Sequence, residues 1–255
     1  MPEYYLQVDN ASLCYEIEGT GPFIIIVPGG NGGAKLFERF RNLLVKHFTV
    51  VLYDRRGYFR SRLTGPQDYS KLFGICSSGA ILMTYLNKYP ETLSKLFIHE
   101  PLIFMDTLEG KDEIQKFHLD MYQVYLTKGR NAAMHELGNR YSNELDYSTL
   151  VEKQKKDKAN NWDYCFQYEW REYPFAKVDW RAAKSHRDKV AILYGVDCIG
   201  FFCVEAGKSI AEYLGNEYVE SPGAHIGVYD ESQKISKAFI KLCRKQSLFL
   251  DEPKL

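Results

Sequence analysis

The side chains best able to do chemistry in this chain are a thiol, a carboxylate and an imidazole, each in a tight turn. The thiol is Cys76, in the run Gly74-Ile75-Cys76-Ser77-Ser78-Gly79. That run follows a short strand end, Leu72-Phe73-Gly74, and opens an apolar helical stretch, Ser78 to Lys88, which Tyr89-Pro90 stops. The carboxylate is Asp197, just past the apolar run Val190 to Tyr194. The imidazole is His225, in the loop Ser221-Pro222-Gly223-Ala224-His225 after a short strand, Glu217 to Glu220. A thiol or hydroxyl can attack a carbonyl, an imidazole can move its proton, and a carboxylate can orient the imidazole. His47, His99, His118, His135 and His186 lie in no comparable loop.

These turns need strands and helices to hold them. Tyr4 to Val8 and Ser12 to Glu18 are β-branched and aromatic runs joined at Asp9-Asn10, which predicts a hairpin. Phe23 to Val27 is apolar at every position, the pattern of a strand buried on both faces of a parallel sheet. Phe48 to Tyr53 and Leu96 to His99 read the same way. Ala34 to Lys46, Val204 to Leu214 and Glu231 to Arg244 have helical spacing. Strands alternating with helices predict an α/β fold. Phe104 to Tyr173 breaks the alternation, with helical patterns and no convincing strand. Its Trp162, Phe166 and Trp170 recur at helical spacing and read first as a packing face, with contact to a ligand as the alternative. Lys153-Gln154-Lys155-Lys156-Asp157-Lys158 reads as a solvated helix face.

Composition narrows the classes of function. Lys+Arg and Asp+Glu both number 33 in 255 residues, so the chain lacks the basic footprint of a nucleic-acid binder. No apolar run is long enough to span a membrane. The start, Met1-Pro2-Glu3-Tyr4-Tyr5, lacks the regions of a signal peptide. The six cysteines show neither metal-site nor disulfide-framework spacing, which predicts reduced thiols in the cytoplasm. No metal or cofactor is expected, and the expected partner is a small-molecule substrate. Oligomeric state is left open.

In their chain order the Cys76 run, Asp197 and His225 resemble the nucleophile, acid and histidine of the α/β-hydrolase superfamily. Pro28-Gly29-Gly30-Asn31 resembles its oxyanion loop, and Tyr53-Asp54-Arg55-Arg56-Gly57-Tyr58-Phe59-Arg60-Ser61 its Asp-x-Arg-Gly segment. Gly223-Ala224-His225-Ile226-Gly227 resembles its histidine loop. The resemblance covers nearly the whole chain. It implies a mostly parallel sheet flanked by helices, with a core of residues 1–103 and 176–255 and a helical cap, 104–175, inserted in it. It also implies Cys76 as nucleophile, His225 as base, Asp197 as acid, and the backbone N–H groups of Gly30 and Ser77 as oxyanion donors.

The register of the nucleophile turn follows from sterics, since residues two before and two after the nucleophile must be small. Cys76 puts Gly74 and Ser78 there. Ser77 puts Ile75 and Gly79 there, and a β-branched Ile crowds the turn. Ser78 leaves Gly74 without a role. Gly-x-Cys turns occur among dienelactone-hydrolase-like members, so Cys76 is preferred. Ser77-Ser78-Gly79-Ala80 still resembles the end of a serine turn, which keeps Ser77 as the alternative nucleophile. Glu100 also follows a strand and is the alternative acid. No Asp lies between Lys71 and Ile81, which excludes the aspartate nucleophile of dehalogenases and epoxide hydrolases.

One segment departs from the family. Only Arg62 to Phe73 separates Ser61 from Gly74, where the family places a helix, and the stretch has Gly65-Pro66 and no helical repeat. An exposed apolar patch beside Leu72 and Phe73, with low stability or self-association, is the expected consequence. The expected function is hydrolysis of an ester, thioester or lactone bond of a small, fairly apolar substrate through a covalent acyl-enzyme. The alternative is a non-catalytic binder or degenerate relic of the same fold.

Overall fold

The structure, a computed structural model, describes residues 2–8, 11–29, 32–63, 76–93, 95–141 and 161–245. The expected hairpin is present: β1 (Tyr4–Val8) pairs antiparallel with β2 (Ala11–Glu18). β2 continues antiparallel to β4 (Thr49–Tyr53), and β4 pairs in parallel with β3 (Phe23–Ile26). A two-residue strand, β5 (Arg62–Leu63), lies on β2. A second piece, β6 (Leu96–His99), β7 (Val190–Gly195) and β8 (Tyr218–Ser221), is wholly parallel. Parallel neighbours need helical crossovers, and helices cover both faces of the β6–β7–β8 piece.

On one face lie α1 (Glu38–Leu44) and the closing helix, Ser232–Lys245. The closing helix turns Ile235, Phe239 and Leu242 inward, three positions on one helical stripe. The Phe239 ring lies 6.0 Å from Phe40 of α1 and 4.8 Å from Phe97 of β6, so one helix packs under both pieces of sheet. On the other face lie α2 (Gly79–Lys88) and the helix Phe202–Leu214, whose Met83, Leu86 and Ile210 pack on Leu96, Ile98 and Ile192. Between β6 and Trp180 the described residues form helices and turns with no strand, including α3 (Lys111–Lys128), α4 (Arg130–Tyr141) and α5 (Asn161–Tyr164). In chain order the later helices are α6 (Trp180–Ser185), α7 (Phe202–Leu214), α8 (Gly227–Asp230) and α9 (Ser232–Lys245). The aromatic stripe of Trp162, Phe166 and Trp170 joins one apolar cluster with Phe104 and Met121, as a packing face should. The Lys153–Lys158 run lies outside the described residues.

One expectation is corrected. β3 is not buried on both faces. Ile26 is 5% exposed against α1 and α9, but Phe23 is 74% and Ile25 62% exposed on the opposite face. Helices α1 and α9 cover one side of β3, and none of the described helices packs on the other. The patch expected at Leu72 and Phe73 itself falls outside the described residues. The two faces should respond unequally to loss of their apolar side chains. Ile26→Ala should destabilise by about 2–5 kcal/mol, whereas Phe23→Ser with Ile25→Thr should change stability by under about 1 kcal/mol. Urea unfolding of both variants checks this, and equal losses would contradict it.

The helical segment is docked through a buried ionic cluster. A π-helical turn, Cys165–Glu169, follows α5, the kind of local insertion that often marks a functional position. Its Glu169 carboxylate accepts hydrogen bonds from the Arg55 guanidinium and, at 2.9 Å, from the Tyr58 hydroxyl. Arg55 also donates at 2.6 Å to the Gly29 carbonyl. The segment thus ties to the loop after β3 through the residues after β4. Gly57, at φ +79, permits the close approach, because a Cβ there would stand 2.6 Å from the Tyr164 hydroxyl oxygen. Burial opposes the Arg55 charge, and the Glu169 carboxylate more than offsets it. Glu169→Ala strands a buried guanidinium and should cost about 3–5 kcal/mol in a urea melt. A loss below about 1 kcal/mol would mean that the pair does not hold the segment.

Candidate active site

Cys76 opens a 3-10 turn, Cys76–Ser78, that runs into α2. Its φ is +67, a left-handed conformation that non-glycine residues rarely adopt. Ser77 has no such strain, so the turn's constrained residue is Cys76. Leu102 N–H donates to the Cys76 carbonyl at 3.0 Å, pinning the turn to the chain after β6. Gly79 serves the same contact: a Cβ there would stand 2.8 Å from Pro101 Cβ. The glycine that looked like part of a serine turn is needed for packing one turn later. Gly74 and Ile75 lie outside the described residues.

His225 reaches the turn from the loop after β8, where Gly223 adopts φ +82. Its Nε2 is 3.0 Å from Cys76 Sγ. Its Nδ1 is 2.5 Å from Glu100 Oε2. A carboxylate at Nδ1 places the proton there and leaves Nε2 able to accept one. Sulfur, imidazole and carboxylate therefore form a continuous chain of hydrogen bonds, with Glu100 fully buried.

Asp197 is the expected partner of His225 and Glu100 the alternative; the structure brings Glu100, not Asp197, to the ring. Asp197 sits in the 3-10 turn Val196–Cys198, where its backbone N–H donates to the Gly223 carbonyl at 3.1 Å. Both ring nitrogens of His225 are already engaged by Cys76 and Glu100. The reason is topological. β6 and β7 are adjacent and in register, His99 opposite Leu193, so a residue after either strand reaches the same sheet edge. Glu100, at φ +46, turns off β6, and its longer side chain spans the remaining gap. Its Oε1 accepts the Gly195 N–H at 2.8 Å. Gly195 is itself required, since a Cβ there would stand 2.4 Å from the Gly223 carbonyl oxygen.

The electrostatics suit an acid–base pair. Burial pushes the Glu100 carboxyl upward, but the His225 hydrogen bond, the His99 and His225 charges and the Gly195 N–H outweigh it and hold it at about 2. Burial pushes His225 downward, yet the Cys76 sulfur and then Glu100 raise its proton affinity well above the ordinary histidine range. By contrast, burial takes His118 down to about 4, and this histidine is a neutral core residue bonded to the Ile114 carbonyl.

Of the two expected oxyanion donors, Ser77 follows Cys76 in the turn that leads into α2, and Gly30 lies outside the described residues, as does Asn31. The loop that carries them is fastened at its described ends by Arg55 to Gly29, by Arg55 N–H to the Gly32 carbonyl and by Ala34 N–H to Asp54 Oδ1. An apolar wall stands next to the sulfur: Cys76 packs against the cluster of Phe104, Phe166, Trp170, Cys203 and Ala224. Among the described residues, Glu100, Cys203 and His225 bring three potential metal-ligating atoms within 4.8 Å of one another. Those same groups are joined by hydrogen bonds.

No family model matches the chain. It is similar to an uncharacterized hydrolase, YraK, of Bacillus subtilis, at 27% identity over 94% of this chain and 96% of the relative. That alignment runs over 266 positions, more than the 255 residues here, so the relative carries residues without a counterpart in this chain. A shorter match, 27% identity over 38% of this chain and 46% of the relative, is to a zearalenone hydrolase of Bionectria ochroleuca. Among solved structures, a thermophilic esterase from Thermogutta terrifontis superposes with a TM-score of 0.73 at 16% identity, over 96% of this chain and 99% of that one. The strand order, the turn at Cys76 and these likenesses together give the chain the α/β-hydrolase fold.

Proposed function

We propose that this chain is a hydrolase that cleaves an ester, thioester or lactone bond through an acyl-enzyme on Cys76. The observation that carries the reading is the unbroken line from Cys76 Sγ to His225 Nε2, at 3.0 Å, and from Nδ1 to Glu100, at 2.5 Å. His225 takes the thiol proton, and the thiolate attacks the carbonyl carbon. The oxyanion is received by the backbone N–H groups of Gly30 and Ser77, donors that are strongest where water is excluded. Collapse expels the alcohol or thiol, which takes its proton from His225. Water then attacks the thioester, gives a proton back to His225, and releases the acid with Cys76 restored. Glu100 keeps the ring in the required tautomer and stabilises the imidazolium.

The apolar wall around Cys76 supports a small, fairly apolar acyl group, with helices of 104–175 acting as a cap over it. The similarity to proteins named hydrolase and esterase supports the reaction class. No helix of the described residues is long and apolar enough to cross a membrane. The six cysteines are free thiols, as a sulfur nucleophile needs, and a reducing compartment such as the cytoplasm suits them.

Turnover of p-nitrophenyl acetate tests the assignment. Cys76→Ala and His225→Ala should each lower kcat/KM by about a thousandfold or more, and Glu100→Gln by about a hundredfold or more. Ser77→Ala and Asp197→Asn should stay within about tenfold of the parent. An inactive Ser77→Ala with an active Cys76→Ala would move the nucleophile by one residue. Parent activity no higher than that of His225→Ala would favour the non-catalytic reading.

Acid stability is a second expectation. Glu100 is held at about 2 against an ordinary 4.5, so its contribution is complete above 4.5 and is lost as pH falls from there toward 2. The unfolding free energy of the parent should drop across that window, and Glu100→Gln should flatten the drop. An unchanged slope in the variant would contradict the paired state of Glu100.

A further inference from the structure

The reaction as proposed does not use Cys203, a thiol in the first turn of α7 that is fully buried and points at the acid. Its Sγ lies 3.4 Å from Glu100 Oε2, an ordinary S–H···O separation. That oxygen is the one that meets His225 Nδ1. The other carboxylate oxygen is held by the Gly195 N–H at 2.8 Å. A glutamate has three rotatable bonds, and the Gly195 N–H on Oε1 with the His225 ring on Oε2 still leaves the angle at which Oε2 meets the ring to be set. The thiol at Oε2 adds a third fixed point, from α7.

We propose that Cys203 is a positioning residue, donating a hydrogen bond to Glu100 Oε2 and so aiming the carboxylate at His225. The inference rests on Glu100 as the acid. The alternative is that Cys203 is a small apolar filler, as buried cysteines often are. A hydrogen bond with the Cys198 thiol, then burial, then the Glu100 charge push Cys203 well above the ordinary thiol range, so the proton stays on sulfur. A thiol is a weaker donor than a hydroxyl. It orients the carboxylate while leaving most of the negative charge for the short bond to Nδ1.

The groups that face Glu100 set the pH response. They are His225 from the loop after β8, His99 from the end of β6, Tyr218 from β8 and Cys203 with Cys198 beside it. Removing the thiol concentrates charge on the carboxylate, which raises the proton affinity of Glu100 and of His225 together. The acid limb of kcat/KM must then move to higher pH.

The test compares Cys203→Ala, which deletes the donor, with Cys203→Ser, which keeps one. Steady-state kinetics on p-nitrophenyl acetate should show kcat lowered about tenfold in Cys203→Ala, with KM within about twofold. The acid limb should shift upward by about half a pH unit, and Cys203→Ser should restore kcat to within about threefold and return the limb. The low-field proton resonance of His225 Nδ1–H should broaden in Cys203→Ala and stay sharp in Cys203→Ser. Parent-like kcat and pH profile in Cys203→Ala would overturn the proposal. So would equal losses in both variants with an unmoved acid limb, which is the signature of packing alone. Should Cys203→Ala not fold, the isosteric pair Cys203→Thr and Cys203→Val makes the same comparison. Glu100→Gln run alongside separates the two levels: an active Glu100→Gln removes the acid and this inference with it. An inactive Glu100→Gln beside a parent-like Cys203→Ala removes the inference alone.

Discussion

The site depends on a single constrained residue, Cys76, held at φ +67 where a β-carbon is unwelcome. A conformation of that kind costs on the order of 1–3 kcal/mol and persists only where its surroundings over-determine it. Here they do. The Cys76 carbonyl is bonded to Leu102, α2 starts three residues on, and Gly79 lets Pro101 pack against the turn. In that conformation the sulfur stands 3.0 Å from Nε2 of His225.

The same logic recurs one strand away. Glu100 stands at φ +46 after β6, and its side chain crosses to the end of β7. Two non-glycine residues in left-handed backbone, on adjacent turns of the sheet edge, thus carry the two ends of one hydrogen-bonded line. Glycines do the complementary work. Gly195 and Gly223 bring β7 and the histidine loop together at a distance that a Cβ would forbid. Farther out, Arg55 and Glu169 lock the helical segment to the loop after β3, so the apolar wall and the expected oxyanion loop share one buried anchor.

Much of this was legible in the sequence because it is written in local patterns. The strands Thr49–Tyr53, Leu96–His99 and Val190–Gly195 announce themselves as apolar runs, and the small residues around Cys76 select its register against Ser77 on steric grounds. The carboxylate partner of His225 was not legible in the same way. Asp197 and Glu100 both follow strands, and deciding between them needs the lateral order of β6 and β7 and the reach of each side chain, which is tertiary information. The exposed face of β3 was misread for a related reason. Five apolar residues in a row state that a strand can be buried twice, and only the neighbouring elements decide whether it is. The Arg55–Glu169 pair joins residues 114 apart in the chain and carries no local signal at all.

The central claim is that the bond-forming atom is the sulfur of Cys76. The most direct measurement is intact mass of the protein quenched in acid during turnover of p-nitrophenyl acetate, followed by mapping of the modified peptide. A single acetyl group on Cys76, absent when the protein is first treated with iodoacetamide and inactivated, is the predicted result. An acetyl group on Ser77, or full turnover after Cys76 has been alkylated, would contradict it.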